Sequence, residues 1–260
     1  MTAGQAAATP VLPVPRAPAD DRAPVGSPVT RHAGAPVARP VGGAVDSQRV
    51  LHQLLRRELH LLADLLGWAP PAEPARTRAL TGHLDLVSRL LLAHHRLERD
   101  RVWPALLAAV PASERPRARA AVAGWTTRAA HVDAQLRDLA TAARQWAVAG
   151  TATARDTLAR GCRRLADDVD AHLTAEEGAL LPLLSCLDAA ATAVPAAARA
   201  RLSRRERVLV LGLALEDCGA ADRARLLAAL PWTRRRWWRL AGVRRYRAAV
   251  VRLRGAPPAA

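Results

Sequence analysis

The sequence contains no lysine and no phenylalanine, and its aromatic residues are seven Trp and one Tyr among 260 residues. Half of the chain is nevertheless apolar, which excludes disorder throughout and allows a sizeable core built from Leu, Val and Ala. Leu and Ala favour helices, and few aromatic or β-branched residues are left to form strands. The composition therefore predicts an all-α protein.

Cysteine is scarce, and long apolar runs are absent. Cys162, Cys186 and Cys218 form no Cys-x-x-Cys pair and are too few for a disulfide scaffold, which favours a reducing compartment. No apolar run approaches the ~18 residues that a membrane-spanning helix requires. Residues 1–18 lack the uninterrupted apolar region of a secretory signal. We therefore expect a cytoplasmic protein without a transmembrane segment.

The chain divides into three parts by composition. Residues 1–45 have a proline every few positions, and because proline removes backbone donors and favours extended neighbours, we interpret them as a disordered arm. Over residues 46–192, apolar residues recur at intervals of three and four, which is typical of core-facing helices. The helical segments run approximately over 46–67, 74–103, 113–148 and 154–182. Four such segments with short breaks predict an antiparallel, up-down four-helix bundle.

Residues 196–260 predict a short helical extension with an unusual charge. Counted from Arg201, they contain fifteen Arg and four acidic residues, so +11 of the net charge of +16 lies there. Residues 232–254 combine nine of these Arg with three Trp and one Tyr. This mixture is suited to binding nucleic acid or an anionic membrane surface. It is equally suited to packing against the bundle with its charged ends in solvent.

Two of the predicted helices carry the same pattern of His, Glu and Pro, with offsets of four and ten residues. The pattern begins at His94 in the second helix and at His172 in the fourth helix. An upstream His precedes these two by 42 and 41 residues. The repeat predicts six candidate metal ligands, which are His52, His94, Glu98, His131, His172 and Glu176.

The position of the His–Glu pairs explains why metal ions are expected. Residues four apart lie on one face of a helix, and both pairs fall on the apolar face, where Leu would be expected. Burying an unpaired carboxylate costs several kcal/mol, which is comparable to the stability of a whole domain. Imidazole and carboxylate ligands suit iron, manganese or zinc. A pair of cations would therefore account for the buried polar side chains.

Other polar residues of these helices fit the repeat less well. Glu177 competes with Glu176, although the spacing favours Glu176. His95 is interpreted as turned away from the site, either supporting a ligand or exposed. His60 is expected in solvent, and His83 is about 16 Å along the helix axis from His94, too far to share the site.

The segments HHRLERDRVWPAL (94–106) and HLTAEEGALLPLL (172–184), together with the upstream HQLLRREL and HVDAQLRDL, resemble the hemerythrin-like HHE cation-binding domains. The resemblance covers residues 48–188, and the C-terminal block resembles the extension of many actinobacterial members. It implies a non-haem di-iron centre with two bridged iron ions held by the six residues above. It also implies that the protein binds or senses a small oxidant, such as dioxygen, nitric oxide or peroxide.

The sequence departs from the oxygen-carrying hemerythrins at two places. Those proteins place a second His one turn away on the third helix, where this chain has Thr127 and Gln135 around His131. Their last carboxylate ligand follows its His by five residues, which corresponds here to Glu177 rather than Glu176. With one imidazole fewer than those proteins, the centre would have a coordination position left for redox, peroxide or nitric oxide chemistry. The sequence leaves open whether the protein has an oxidoreductase-type activity. The residues assign no catalytic side chain, and manganese or zinc stays possible.

Overall fold

The computed structural model describes residues 42–186 and 202–255, all of which belong to a unit that starts at Pro40. Within these ranges the chain forms helices and turns and no strand, as the composition predicted. The expected arm over residues 1–45 lies outside the described residues as far as residue 41. Residues 42–45 already belong to the first helix, which starts earlier than the sequence pattern indicated.

Four long helices build the part of the molecule that carries the His–Glu pairs. In chain order the four long helices are α1 (Gly42–Trp68), α2 (Pro74–Leu97), α4 (Arg115–Ala149) and α5 (Ala152–Ala179), and the short helix α3 (Trp103–Ala109) lies between α2 and α4. A π-helical turn (Glu98–Val102) joins α2 to the short α3, and a 3₁₀ turn (Leu181–Cys186) follows α5. Helices α1 and α4 each pack against both α2 and α5, so the four long helices enclose a common core.

The ends of these helices follow from local residue chemistry. Pro74 is the first residue of α2, where a missing N–H costs nothing. Gly150 ends α4 with a left-handed backbone (φ 59°), and Thr151 then caps α5 by accepting a hydrogen bond from the Ala154 N–H at 3.3 Å. The two-residue link Gly150–Thr151 therefore turns the chain directly from one long helix into the next.

Apolar side chains fill the core on both sides of the His–Glu pairs. Leu55, Leu59, Leu62 and Leu66 are fully buried along α1, as the three- and four-residue spacing predicted. A second apolar cluster around Trp103 and Trp125 packs between α3, α4 and the 3₁₀ turn. The polar site lies among these apolar side chains, which limit the access of water.

The C-terminal extension consists of short helices that pack on the first two helices. They are α6 (Arg204–Glu216), α7 (Ala220–Ala228), α8 (Trp232–Trp237) and α9 (Val243–Arg254), with a π-helical turn (Trp238–Gly242) between α8 and α9. Ser203 and Glu206 form a capping box at the start of α6. Helix α6 contacts α1, and α9 contacts α2 and α6.

A buried ionic network joins this extension to the long helices. The Glu58 carboxylate on α1 is fully buried and accepts hydrogen bonds from Arg57 Nε at 2.9 Å and Arg254 Nη2 at 2.8 Å. Its other oxygen lies 2.8 Å from His83 Nε2. Although burial raises the pKa of Glu58, the bond to His83 and the charges of His83 and Arg254 lower it overall. His83 thus has a partner of its own, away from the predicted metal site.

Candidate metal centre

Four elements bring four of the predicted ligands together in the core. His52 comes from α1, His94 from the last turn of α2, Glu98 from the first residue of the π-helical turn, and Glu176 from the last turn of α5. All four are buried, and each offers a ligand atom within 4.8 Å of those of the others. Because π-helical turns inside helices recur at functional sites, the turn that begins at Glu98 is a fitting place for a ligand.

The distances between these four side chains suit a shared cation. His52 Nε2 lies 3.1 Å from His94 Nε2 and 3.3 Å from Glu176 Oε1. His94 Nε2 lies 3.3 Å from Glu98 Oε2, as expected for residues four apart on a helix. Two imidazole nitrogens and two carboxylates therefore converge on one point.

A second group of nitrogen donors lies on the other side of Glu176. His172 Nε2 is 3.9 Å from Glu176 Oε2, whereas Glu176 Oε1 faces His52. The His95 ring is fully buried, and its centroid is 5.0 Å from that of His172, nearly perpendicular to it. One carboxylate, Glu176, therefore stands between a first group (His52, His94 and Glu98) and a second group (His95 and His172).

Hydrogen bonds from neighbouring residues orient these donors. His52 Nδ1 donates to Glu177 Oε1 at 2.8 Å, and His95 Nδ1 donates to Asp133 Oδ1 at 2.7 Å. With Nδ1 as the donor, the Nε2 of each ring in this tautomer carries no hydrogen and faces the centre, which is the usual support for a metal-binding imidazole.

The two carboxylates are oriented by neutral donors. Gln48 Nε2 donates to Glu98 Oε1 at 3.0 Å, and Trp125 Nε1 donates to Glu176 Oε2 at 3.1 Å. The sequence pattern did not identify Gln48, Trp125 or Asp133. Gln48 lies four residues before His52, one helical turn away, which is the only signal that pointed to it.

Burial controls the protonation of the site. It lowers the pKa of His94 to about 3 and that of His172 to about 4, and the neighbouring imidazoles act in the same direction. Burial, together with the adjacent Glu176, raises the pKa of Glu98 well above its usual range. Although burial raises the pKa of Glu176, its close contact with His52 and the charges of His94 and His52 lower it overall.

Several buried polar atoms of the site have no hydrogen-bond partner among the described residues. They are Glu98 Oε2, Glu176 Oε1, His95 Nε2, His172 Nδ1 and His172 Nε2. Leaving one such atom unsatisfied costs about 1–3 kcal/mol, so their convergence requires an explanation. Neutral imidazole nitrogens and carboxylate oxygens are the ligands that iron, manganese and zinc accept. The donor set therefore fits a metal centre.

His131 is the predicted ligand that the structure does not bring to the centre. Its side chain is 64 % exposed, and its Nε2 lies 3.4 Å from Asp168 Oδ2 at the surface. The buried face of α4 runs through Ala129, Val132 and Leu136, and this face turns residue 131 outwards. The structure therefore places His131 outside the centre, and its role as a ligand stays a prediction from the upstream spacing.

His95 also differs from its interpretation in the sequence analysis, because it is buried beside the site. The sequence analysis turned it away from the site, but α2 buries both members of the His94–His95 pair. Leu91, one turn before His95, is also fully buried, so the apolar face of α2 is wide enough for two adjacent residues. His60, by contrast, lies at the surface as expected and contacts Asp170.

Comparison with known proteins identifies the domain. The family model described as the hemerythrin HHE cation binding domain matches residues 44–201. No curated protein and no solved structure matches the chain. The matched range contains every donor of the two groups described above.

Proposed function

The chain belongs to the hemerythrin HHE cation-binding family, and from that premise we propose that it holds two iron ions and binds or senses a small oxidant. Dioxygen, nitric oxide and peroxide are the candidate ligands. The observation that carries the proposal is the convergence of buried, unpartnered nitrogen and oxygen donors around Glu176. Such donors are costly to bury unless cations neutralise them.

The two groups of donors suggest how two ions would be held. His52, His94 and Glu98 would hold one ion, and His95 and His172 would hold the other. Glu176 is placed to serve both, because its two oxygens face different groups. Relative to the six ligands expected from the sequence, this set replaces His131 with His95. It keeps the antiparallel, up-down bundle as the proposed arrangement.

Iron bound there would supply one-electron redox chemistry and coordination positions for a diatomic or peroxide ligand. The chain's own residues would keep His94 and His172 neutral, hold both carboxylates in place and limit the access of water. Trp125 illustrates this role, because it donates to Glu176 while its ring lies 5.8 Å from that of His172. Whether the protein turns over a substrate is left open by this proposal, and manganese or zinc would use the same ligands.

No helix in the described parts of the chain is long and apolar enough to cross a membrane. Cys162 and Cys218 are free thiols. Free thiols are typical of a reducing compartment, which supports the proposed cytoplasmic location. Binding of nucleic acid or an anionic membrane through residues 232–254 stays a prediction, for which Trp232 and Leu240, both 66 % exposed, are the best-placed apolar side chains.

Elemental analysis and absorption spectroscopy of the purified protein test the proposal. We expect about two iron ions per chain and near-ultraviolet bands of bridged iron. Glu176→Ala should remove both ions, because Glu176 serves both groups, and His94→Ala should deplete the first. Unchanged iron in both variants would rule out the ligand assignment, and manganese or zinc in place of iron would overturn the choice of metal.

His95 and His131 form a matched pair for the same measurement. His95→Ala should lower the metal content towards one ion per chain, because it removes a donor of the second group. His131→Ala should leave the content unchanged, because that side chain lies at the surface. The reverse result would restore the ligand set expected from the sequence spacing.

A further inference from the structure

A cavity of about 990 Å³ lies within the C-terminal extension, away from the metal centre. Side chains from α6, α7, α8 and α9 line it, and it opens to solvent. Its volume falls in the range of roughly 300–1,000 Å³ that holds small organic ligands. None of the metal-centre donors is among the described residues that line it.

The floor of this cavity is apolar. Leu209 on α6, Leu226 and Leu230 around the end of α7, and the rings of Trp237 and Trp238 contribute to it. Helices α7 and α8 have no buried residue, so the apolar side chains that they turn towards the cavity are only partly covered by the protein. An apolar ligand would cover this surface and remove it from water.

The lining of the cavity is also strongly basic. Six arginines line it, and they are Arg204, Arg205, Arg207, Arg234, Arg245 and Arg252. No Asp or Glu occurs among the described lining residues. Arg245 lies over the Trp237 ring at 5.3 Å, which places one cation at the aromatic wall.

The acidic residues of the extension do not neutralise these arginines, because each is paired with an arginine outside the lining. The pairs are Glu206 with Arg89, Glu216 with Arg254, Asp217 with Arg57, and Asp222 with Arg225. Three of the four pairs therefore hold the extension together or to the long helices. The positive charge of the cavity is left for an external anion.

We propose that this cavity binds the anion of a long-chain fatty acid, with its acyl chain on the apolar floor and its carboxylate held by the arginines. Arginine matches a carboxylate with two parallel N–H donors. A nucleic acid would satisfy the arginines but leave the Leu and Trp floor unfilled, and an apolar peptide would leave the arginines without counter-charge. A single ligand with one anionic end and a long apolar body satisfies both surfaces.

Titration of the full-length protein with dansyl-undecanoate tests this, because energy transfer from nearby Trp residues, which include Trp237 and Trp238 in the cavity lining, reports binding of the probe. We expect saturable binding of one molecule per chain below the concentration at which the probe aggregates. Hexadecanoate should displace it, whereas methyl hexadecanoate and hexadecylammonium should compete at least about tenfold more weakly, since they lack the anionic end.

Two double variants with the same change of charge provide the control. Arg205→Gln with Arg234→Gln should weaken binding by at least about tenfold, because both side chains line the cavity. Arg236→Gln with Arg244→Gln should leave it unchanged, because these exposed arginines are outside the lining. Equal weakening of binding in both variants would show that the loss depends on net charge alone, and it would overturn the proposed site.

Three further results would also overturn the proposal. The first is the absence of binding to the full-length protein. The second is binding to anionic phospholipid vesicles but not to free hexadecanoate, which would assign the surface to membranes. The third is binding that emerges only when a Gly/Ser linker of equal length replaces residues 187–201, which precede Leu202. That result would assign this segment, and not a fatty acid, as the occupant of the cavity.

Discussion

His94 and His172 are imidazoles that burial keeps neutral, with pKa values of about 3 and 4 against the usual 6.5. As the pH falls below 6.5, the unfolded chain takes up protons at both residues and the folded chain does not, so the free energy of unfolding decreases. Glu98 acts in the opposite direction, because its raised pKa means that the folded state already holds a proton that the unfolded state takes up only near 4.5. As the pH falls, the two histidines therefore lower the free energy of unfolding by more than Glu98 raises it.

We expect the metal-free protein to lose about 1.4 kcal/mol of unfolding free energy per pH unit as the pH falls from about 6 to about 5, above the range in which Glu58 and Glu176 of the unfolded chain take up protons. Urea denaturation at a series of pH values measures this slope. In Glu98→Gln the opposing contribution disappears, so the slope should be about twice as steep. A wild-type profile that is flat, or that rises towards pH 4.5, would contradict the burial of these imidazoles as neutral groups.

The packing of elements depends on places where two helices approach closely. At Gly212 on α6, an added Cβ would lie 2.0 Å from Cδ2 of Tyr246 on α9. The Tyr246 ring is in turn held by a hydrogen bond from its hydroxyl to Glu216 and by the neighbouring Trp238 ring. Gly212 is therefore required by the contact between the first and last helices of the extension.

Gly212→Ala should lower the free energy of unfolding by about 1–3 kcal/mol, because α9 would have to move away from α6. Gly82→Ala on α2 is the control, since nothing lies within 4 Å of its added Cβ, and it should be neutral or stabilising by about 0.5–1 kcal/mol. Thermal or urea denaturation compares the two. Equal effects would indicate that α6 and α9 do not pack as described.

The path of α2 shows where local signals were incomplete. The sequence pattern ended this helix at Pro104, but α2 ends at Leu97 and a π-helical turn leads into α3. Pro104 is the second residue of α3, a position where its missing N–H breaks no helical hydrogen bond. Glu98, the first residue of this π-helical turn, lies within reach of both His94 and Gln48. No residue spacing predicted the π-helical turn itself.

At the scale of the whole molecule, the extension completes the burial of a charge in the long helices. Glu58 is fully buried, and Arg254, the last residue of α9, supplies one of its three polar partners. Arg254 also binds both oxygens of Glu216 at 2.9 Å. Stability of the metal-binding helices and docking of the extension are therefore linked through one arginine.

Arg254→Gln should lower the free energy of unfolding by about 2 kcal/mol, because a buried carboxylate loses one of its charged donors. Arg247→Gln on the same helix removes the same charge from an exposed position and should stay within about 0.5 kcal/mol of the wild type. Chemical denaturation of both variants is the measurement. A loss of equal size in Arg247→Gln would show that net charge, not the contact with Glu58, is responsible.

The sequence by itself determined the helical class and the apolar faces, because three- and four-residue periodicity reports directly which side of a helix is buried. It also determined His52, His94, Glu98 and Glu176 as members of one buried group, since two His–Glu pairs on apolar faces have few other interpretations. Only the tertiary structure showed that His95 is buried and His131 is exposed, because both lie at the edges of their faces, where a small rotation of the helix decides between core and solvent. It alone decided the pairing of Glu58 with Arg254, which are 196 residues apart in the chain and meet only when the last helix packs on α2 and α6.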